Sequence, residues 1–196
     1  VGVPLDQVSG VFEAGSVCLL YGAPDGFESG TAALVSQATA PAADLAETAD
    51  RFGSALAIGN FDGDPFADLA VGVPLEDVGA AFDGGCVHVF YGSAFQLTAL
   101  GSQVWHQNVA GVEGGAESGD RFGSAVAAGD FDGSGHDDLV AGVPFEDLGG
   151  TDEGAVNIIY GTGAGLSAAG DQVWHRGVTF VDGLAQSSDR FGLAVR

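Results

Sequence analysis

The stretch Asp50-Arg-Phe-Gly-Ser-Ala-Leu-Ala-Ile-Gly-Asn-Phe-Asp-Gly-Asp64 decides the fold, because it does not occur only once. It returns 70 residues later as Asp120-Arg-Phe-Gly-Ser-Ala-Val-Ala-Ala-Gly-Asp-Phe-Asp-Gly-Ser134, and a third copy begins with Asp189-Arg-Phe-Gly. Self-similarity at a fixed period indicates a repeat architecture in which each unit packs against its neighbours. The chain is therefore predicted to be a series of similar units.

Three further landmarks have the same period of 69 or 70 residues. They are Gly-Val-Pro at 2–4, 72–74 and 142–144, Tyr-Gly at 21, 91 and 160, and Val-Trp-His at 104–106 and 173–175. Independent landmarks that share one period exclude a chance resemblance between two segments. The repeat therefore extends over the whole chain.

Each complete unit contains four apolar segments separated by glycine-rich connections, which in the first unit are residues 52–58, 68–73, 86–91 and 103–107. Segments of this length are typical of β-strands, and four short antiparallel strands form one blade of a β-propeller. The predicted fold is all-β, built from such blades. A β-solenoid is the alternative, but its coils are usually shorter than this period.

The register of the repeat divides the chain into four parts. Residues 1–49 are predicted to form a partial blade with the end of its second strand and its third and fourth strands. Residues 50–119 and 120–188 form complete blades, and 189–196 form the first strand of the next. Because closed propellers have about 4 to 8 blades, we expect an incomplete ring, completed by neighbouring blades of the same longer chain or of other copies.

The composition excludes two classes of partner. The 196 residues include 34 glycines and 27 Asp or Glu against only 5 Lys or Arg, for a formal charge of −22. Nucleic acids and anionic membrane surfaces repel such a chain, since affinity for them comes from basic residues. No apolar run approaches the roughly 18 residues of a membrane helix. We therefore expect neither nucleic-acid binding nor membrane insertion.

Between the first and second strands of each complete unit lies an acidic loop, residues 60–68 and 130–138. Oxygen side chains occupy loop positions 1, 3, 5 and 9, and position 7 offers a backbone carbonyl. This alternation suits a hard cation with 6 to 8 oxygen ligands, which favours Ca²⁺. The two sets of candidate ligands are Asn60, Asp62, Asp64, Phe66 and Asp68, and Asp130, Asp132, Ser134, His136 and Asp138.

The acidic loops have two alternative interpretations. Asp and Gly are common in ordinary tight turns, in which the Asp side chain binds its own backbone, but two loops with matching oxygen spacing at the same place in the repeat favour a cation. Mg²⁺ suits the loops less well because it keeps a small octahedral shell rich in water. Asp137 lies between positions 7 and 9 and is expected to point away from the site.

Phe-Gly, the acidic loop after it and Gly-Val-Pro together resemble the FG-GAP repeats of the integrin α-subunit β-propeller and its bacterial relatives. The resemblance covers essentially the whole chain. It implies a seven-bladed propeller with calcium loops in certain blades, a protein or carbohydrate ligand on the opposite face, and an extracellular or cell-surface location. Pro65 stands where the family usually has glycine, and Ser134 where a carboxylate is usual, so each loop has one departure.

The remaining candidates have structural interpretations. His106 and His175 follow tryptophans at equivalent positions, which indicates a repeated edge residue, although Trp105 and Trp174 have a shape suited to sugars. Cys86 and His88 share a strand face, and the spacing of the cysteines fits no metal pairing, so a buried strand is favoured over a metal site. No nucleophile, base and orienting group occur together. We therefore predict no enzyme active site.

Three of the five positive charges, Arg51, Arg121 and Arg190, each precede Phe-Gly. Arginine forms bidentate contacts with carboxylates, so a structural ion pair with an acidic loop of an adjacent blade is favoured over ligand binding. The long connections 75–85 and 108–119 are better places for partner contacts.

Three functions remain. The leading hypothesis is a calcium-binding adhesion or recognition scaffold of a secreted or surface protein. The alternatives are a subunit of an extracellular polymer, built by blade stacking between chains, and an accessory domain of a larger extracellular enzyme.

Overall fold

The computed structural model describes residues 1–23, 26–27, 32–39, 45–178, 181 and 183–195. Within these residues the secondary structure consists of β-strands and one short 3₁₀-helix, Gln37–Thr39, with no helix long and apolar enough to cross a membrane. The strands are β1 Gly2–Val3, β2 Ser16–Leu19, β3 Gly22–Ala23, β4 Gly26–Phe27, β5 Ala33–Val35, β6 Ala55–Gly59, β7 Asp68–Val73, β8 Cys86–Tyr91, β9 Thr98–Trp105, β10 Val126–Gly129, β11 Asp138–Val143, β12 Ala155–Thr162 and β13 Gly165–Trp174.

Each complete unit forms one antiparallel sheet of four strands. Blade 2 (residues 50–119) has the order β6-β7-β8-β9, and blade 3 (120–188) has β10-β11-β12-β13. Blade 1 (1–49) has three strands in the order β1-β2-β5, beside the small hairpin β3-β4. The predicted all-β fold with four-stranded antiparallel blades is confirmed, and the sheets are compatible with propeller blades.

The inner two strands of blade 2 begin and end where the sequence predicts, while the outer two differ. β6 begins three residues after Phe52, because Arg51 (φ 61°) and Gly53 (φ 89°) form a tight turn in which Ser54 N donates to Arg51 O at 3.1 Å. β9 begins at Thr98, earlier than predicted, because an irregularity in the pairing with β8 allows Tyr91 to pair with Thr98.

The predicted first strand at 189–196 is not formed. Residues 183–195 consist of turns, bends and irregular backbone, and Arg196 lies outside the described residues, as do 24–25, 28–31 and 40–44 of the predicted partial blade. In blades 2 and 3 the first strand is held by its pairing with a complete second strand. Within the described residues no such partner lies beside 189–195.

The two signature motifs of the repeat interlock between blades. The glycine of each Gly-Val-Pro faces the glycine of the next Phe-Gly so closely that an added Cβ would overlap its carbonyl oxygen; the pairs are Gly2 with Gly53, Gly72 with Gly123, and Gly142 with Gly192. Only a residue without a side chain allows this approach of two backbones. The motifs therefore mark contacts between units.

The core lies mainly between the blades. One cluster joins blades 2 and 3 and includes Phe61, Phe122, Leu139 and Ile159, all with no exposed surface. A second cluster joins blades 1 and 2 through Val17 and Phe52, among other residues. The phenylalanine of Phe-Gly thus belongs to the core, and burial between units explains why one blade needs its neighbours.

Candidate metal centre

The second acidic loop, between β10 and β11, brings three carboxylates together. Oxygens of Asp130, Asp132 and Asp138 all lie within 4.8 Å of one another. The backbone of the loop orients two of them, since Ser134 N donates to Asp130 Oδ1 at 3.0 Å and to Asp132 Oδ1 at 2.8 Å. Three negative charges at this separation repel one another strongly, and a cation placed between them would remove that repulsion.

Asp138 is the fixed member of this group. It lies at the start of β11 with no exposed surface, and its two oxygens accept hydrogen bonds from Phe131 N at 2.8 Å and Gly161 N at 2.9 Å. Asp132, like Asp130, is exposed, and hydrogen bonds from Ser134 lower the pKa of Asp132. Both carboxyl groups are therefore held where a metal ligand of position 3 or 9 is expected.

The first loop, between β6 and β7, holds Asp68 as the second loop holds Asp138, but it does not bring three carboxylates close together. Asp68 accepts hydrogen bonds from Phe61 N at 2.7 Å and Gly92 N at 2.8 Å, as Asp138 does in its own blade. Burial raises the pKa of Asp68, the two backbone donors lower it, and the charges of Asp62 and Asp64 raise it. In the described part of the chain, only the second loop places three such groups within 4.8 Å of one another.

Loop position 6 gives a physical reason for the difference. Gly135 takes φ +88° in the second loop, a conformation that Pro65 cannot adopt because its ring holds φ near −65°. In the first loop Asp64 Oδ1 accepts from Phe66 N at 2.7 Å, which directs this carboxylate into its own turn. Of the two departures from the family pattern, Pro65 therefore changes the loop geometry more than Ser134 does.

The donor atoms present fit a hard cation. The second loop offers carboxylate oxygens, and the first offers Asn60 Oδ1, a buried oxygen that has no hydrogen-bond partner among the described residues. Asn60 Nδ2 donates to Asp64 O at 2.7 Å, which positions the amide. Oxygen donors of this kind suit Ca²⁺. That the ten predicted residues are calcium ligands stays a prediction.

The structure gives other contacts to the side chains at positions 5 and 7. Ser134 Oγ accepts from His136 N at 3.3 Å, and Phe66 is 37% exposed. The imidazole of His136 packs against the first loop, where a Cβ added to Gly63 would lie 2.7 Å from His136 Cδ2. His136 therefore joins the two loops, a contact that repeat spacing does not predict.

Asp137 is the second link between the loops. Its carboxylate accepts a hydrogen bond from Asn60 N, and its own backbone N–H donates to Asn60 O, each at 2.8 Å. The side chain thus points towards the neighbouring blade, in the direction expected of a residue between positions 7 and 9. In the sequence, this contact could have been suspected because Asp137 falls between loop positions 7 and 9 and so does not belong to the alternating oxygen ligands.

The arginines before Phe-Gly behave differently from one another. Arg51 forms an ion pair with the adjacent blade, at 3.5 Å from Glu13, but Glu13 lies in the connection between β1 and β2 and not in an acidic loop of the predicted kind. The expectation is wrong for the other two among the described residues: the guanidinium groups of Arg121 and Arg190 lie 4.7 and 4.9 Å from the ring centre of Phe145. A cation–π contact replaces the ion pair, and a repeat motif alone does not identify the aromatic partner.

Two buried glutamine–glutamate pairs between blades were not predicted. Gln37 Nε2 donates to Glu76 Oε2, and Gln107 Nε2 donates to Glu146 Oε2, each at 2.5 Å. The two pairs are separated by the repeat period. They could have been predicted because Gln recurs after the outer strand of a unit and Asp or Glu recurs after Gly-Val-Pro. In each pair a glutamine amide binds a buried glutamate inside a blade interface.

The region around the second pair contains an unusual carboxyl group. Asp120 has 2 % of its surface exposed and accepts a hydrogen bond from Glu117 N at 2.5 Å. Burial raises its pKa from the ordinary 3.8 to about 7, the Glu117 N–H lowers it, and the charges of Glu146, Glu117 and Asp147 raise it. Asp120 therefore holds a proton in the folded state at mildly acidic pH.

This raised pKa predicts the pH dependence of stability. The folded state binds the proton more tightly than the unfolded state, so the stabilisation is complete below about pH 3.8 and is lost as pH rises through about 7. Raising the pH from about 5 to about 8 should lower the free energy of unfolding by about 2–3 kcal/mol through this group. Asp120→Asn should flatten the dependence measured by urea unfolding. The exposed Glu47→Gln is the control and should leave it unchanged; equal slopes in both variants would contradict the assignment.

His88, Cys86 and Trp105 are packed inside the blades, as the structural interpretation of these residues predicts. His88 is fully buried, with its ring 5.5 Å from Phe52 and stacked on Phe90. Cys86 is buried, and Cys18 is intermediate in exposure. Trp105 is buried, and its indole N–H donates to Gln103 at 3.3 Å, which places it in the blade interface.

Antiparallel four-stranded blades, linked by motifs that interlock and carrying an acidic loop between the first two strands, define a repeat protein of the β-propeller type. The family model described as FG-GAP repeat matches residues 52–90 and 122–159. The chain therefore carries two FG-GAP repeats, and the resemblance seen in the sequence is confirmed.

Two curated proteins are similar over most of the chain. Phosphatidylinositol-glycan-specific phospholipase D of Rattus norvegicus is 34% identical over 160 residues, which are 82% of this chain and 18% of the relative. The protein of the same name from Mus musculus is 33% identical with the same coverage. The chain spans less than a fifth of the length of these relatives, so the similarity concerns one repeat-containing part of them.

Proposed function

We propose that this chain is a calcium-stabilised, non-catalytic FG-GAP scaffold that forms an accessory part of a larger extracellular enzyme. The observation that carries the proposal is the convergence of Asp130, Asp132 and Asp138 in the loop between β10 and β11. A calcium ion there would neutralise a cluster whose charges otherwise destabilise the blade. The scaffold would therefore depend on the ion for part of its stability.

The enzyme context is supported by the relatives. Both are named for phospholipase D activity on phosphatidylinositol-glycan, and the similar region is a minor part of each. By this likeness the catalytic groups of the parent protein would lie outside the repeats, and the repeats would support or position the catalytic part. An extracellular location agrees with calcium loops, because extracellular modules bind Ca²⁺ at the high concentrations found there.

A recognition role is the second candidate, and one observation favours it. Phe12 and Phe82 occupy equivalent positions in blades 1 and 2 and are 61% and 69% exposed. They lie in the connections between second and third strands, at the end of the blade opposite the acidic loops. Large exposed apolar side chains that recur at one end suit a protein or carbohydrate ligand. The third possibility, a polymer built by stacking between copies, is distinguished from the scaffold and recognition roles by measuring the mass of the protein in solution.

Calcium binding is tested by thermal unfolding with calcium and with a chelator. We expect calcium to raise the midpoint, because an ion at 100 times its dissociation constant stabilises the folded state by about 2.7 kcal/mol. That is about 5–10 °C in a domain of this size. An unchanged midpoint would contradict the proposal.

Variants assign the effect to a loop. Asp132→Asn should remove most of the calcium-dependent shift, whereas Asp62→Asn should remove less, because the first loop does not bring its three carboxylates together. Glu113→Gln, a matched loss of one exposed charge outside the loops, is the control and should keep the full shift. A full shift in the Asp132 variant would remove the second loop as the site.

A further inference from the structure

A cavity of about 200 Å³ lies where the connection between β9 and β10 meets β13, the outer strand of blade 3. Its lining consists of Glu113 of that connection, residues 171–174 of β13, and Val178. Glu113 is exposed, whereas Asp171 is 8% exposed. Two carboxylates therefore border one cavity, beside the apolar residues Val173 and Val178.

A buried asparagine lies behind these carboxylates. Asn157 of β12 stands directly opposite Val173 of β13, so the two side chains share one face of the sheet. Asn157 Nδ2 donates to Glu113 O at 2.9 Å, and Glu113 N donates to Asp171 Oδ2 at 2.7 Å. The backbone of a single residue thus holds the buried amide and the carboxylate of Asp171 next to each other.

This cluster has acceptors that the described residues leave without a donor. Asn157 has no exposed surface, and its Oδ1 has no hydrogen-bond partner among the described residues. Leaving a buried acceptor unpaired is costly, because the group has lost its water. In the same part of the chain, neither Asp171 nor Glu113 forms an ion pair. The group that would satisfy all three is a cation that also donates hydrogen bonds.

We propose that this cavity binds the side chain of a lysine from a protein partner. An ammonium group carries three N–H donors and no acceptor, which matches Asn157 Oδ1 and the carboxylates of Asp171 and Glu113 in number and in polarity. A guanidinium group has its donors in a rigid planar fork and suits a single carboxylate better. Val173 and Val178 suit the aliphatic stem of lysine, since long charged side chains cover apolar surface with their stems.

The charge of the chain supports a partner of this kind. The 196 residues contain no lysine, so the ligand comes from outside them, and the formal charge of −22 attracts a basic partner and speeds its encounter. The cavity joins the connection after blade 2 to the sheet of blade 3, so a bound segment would contact both units. The site lies outside the acidic loops and does not depend on the proposed calcium site or on the enzyme context.

The first test is a titration of the protein with Nα-acetyl-lysine methylamide, followed by NMR at the backbone N–H of Glu113 and the side-chain amide of Asn157. We expect saturable shifts of both signals and weaker binding at high salt, because salt screens exposed charges. The Nε-acetylated probe, which has lost the charge, should bind at least about tenfold more weakly. Equal binding of the charged and acetylated probes would overturn the proposal.

Two further probes test the chemistry of the ligand. The arginine analogue should bind more weakly than the lysine probe, because its planar fork does not match three separate acceptors. Glucosamine carries an amine on a sugar and should also bind more weakly, since its hydroxyl groups would meet the apolar part of the lining. Binding of glucosamine about tenfold tighter than that of the lysine probe, at the same two signals, would overturn the assignment to a protein partner.

Variants assign the binding to the cavity. Asp171→Asn removes a charge but keeps an oxygen acceptor, and it should weaken the lysine probe at least about tenfold. Glu113→Gln should weaken it about threefold, because an exposed charge contributes less. Glu47→Gln, an exposed charge in blade 1, is the control and should keep the native affinity. The exposed Glu113 side chain can be changed without loss of the fold, which an unchanged thermal midpoint would show. Native affinity in the Glu113 variant would then overturn the proposal, whatever the stability of the Asp171 variant.

Discussion

Phe61→Ala is expected to lower the free energy of unfolding by about 3–5 kcal/mol, the cost of removing a fully buried phenylalanine from a core that cannot collapse around the space. Phe61 has no exposed surface and packs between blades 2 and 3, where no other side chain of its own blade can replace it. The loss should appear in the urea midpoint, with the slope of unfolding little changed.

Phe131 is the matched control, because it occupies the same position of the next acidic loop. It is 56% exposed, and Phe131→Ala should cost less than about 1 kcal/mol. Both variants keep the backbone bond to the aspartate at the end of the loop, from Phe61 to Asp68 and from Phe131 to Asp138. Equal losses would show that the phenylalanine acts within its own loop and not through insertion into the next blade.

Gly72→Ala is expected to cost about 3 kcal/mol or more, although it adds only one methyl group. The new Cβ would overlap Gly123 O and would lie 3.1 Å from the Cβ of Ala55, so the two blades would have to separate. Overpacking against side chains typically costs about 1–3 kcal/mol, and backbone atoms yield less than side chains do.

Gly115→Ala is the control for this substitution. Gly115 has φ outside the left-handed region and no atom within 4 Å of an added Cβ, so the change should stay within about 1 kcal/mol of the native stability. A small effect at Gly72, measured by the same urea unfolding, would show that the contact between Gly-Val-Pro and Phe-Gly is loose and would remove the explanation of the two motifs as an interlock.

The fold could be predicted largely from the repeated stretch. β7 and β8 begin and end where their apolar segments do, because both strands are buried on both faces along their whole length. The ends of β6 and β9 were misplaced, since a turn at positive φ through Arg51 and a bulge opposite Tyr91 are decided by contacts that apolar spacing does not contain.

The candidate metal centre was predicted in its composition but not in its geometry. Oxygen spacing singled out both loops, yet in the described residues three carboxylates converge only around Asp130. The difference arises at Pro65 and Gly135, where one backbone can take a left-handed turn and the other cannot. Arg121 shows the same limit, because its partner Phe145 lies 24 positions along the chain and is brought near by the folding of blade 3.

The sequence by itself determined the period, the all-β blades and the residue types of the acidic loops, because these depend on local spacing repeated along the chain. Only the tertiary structure decided which blade each motif touches. Gly72 meets Gly123, Asn60 meets Asp137 and Phe61 enters blade 3, since stacking places the acidic loop of one unit against the strand ends of the next.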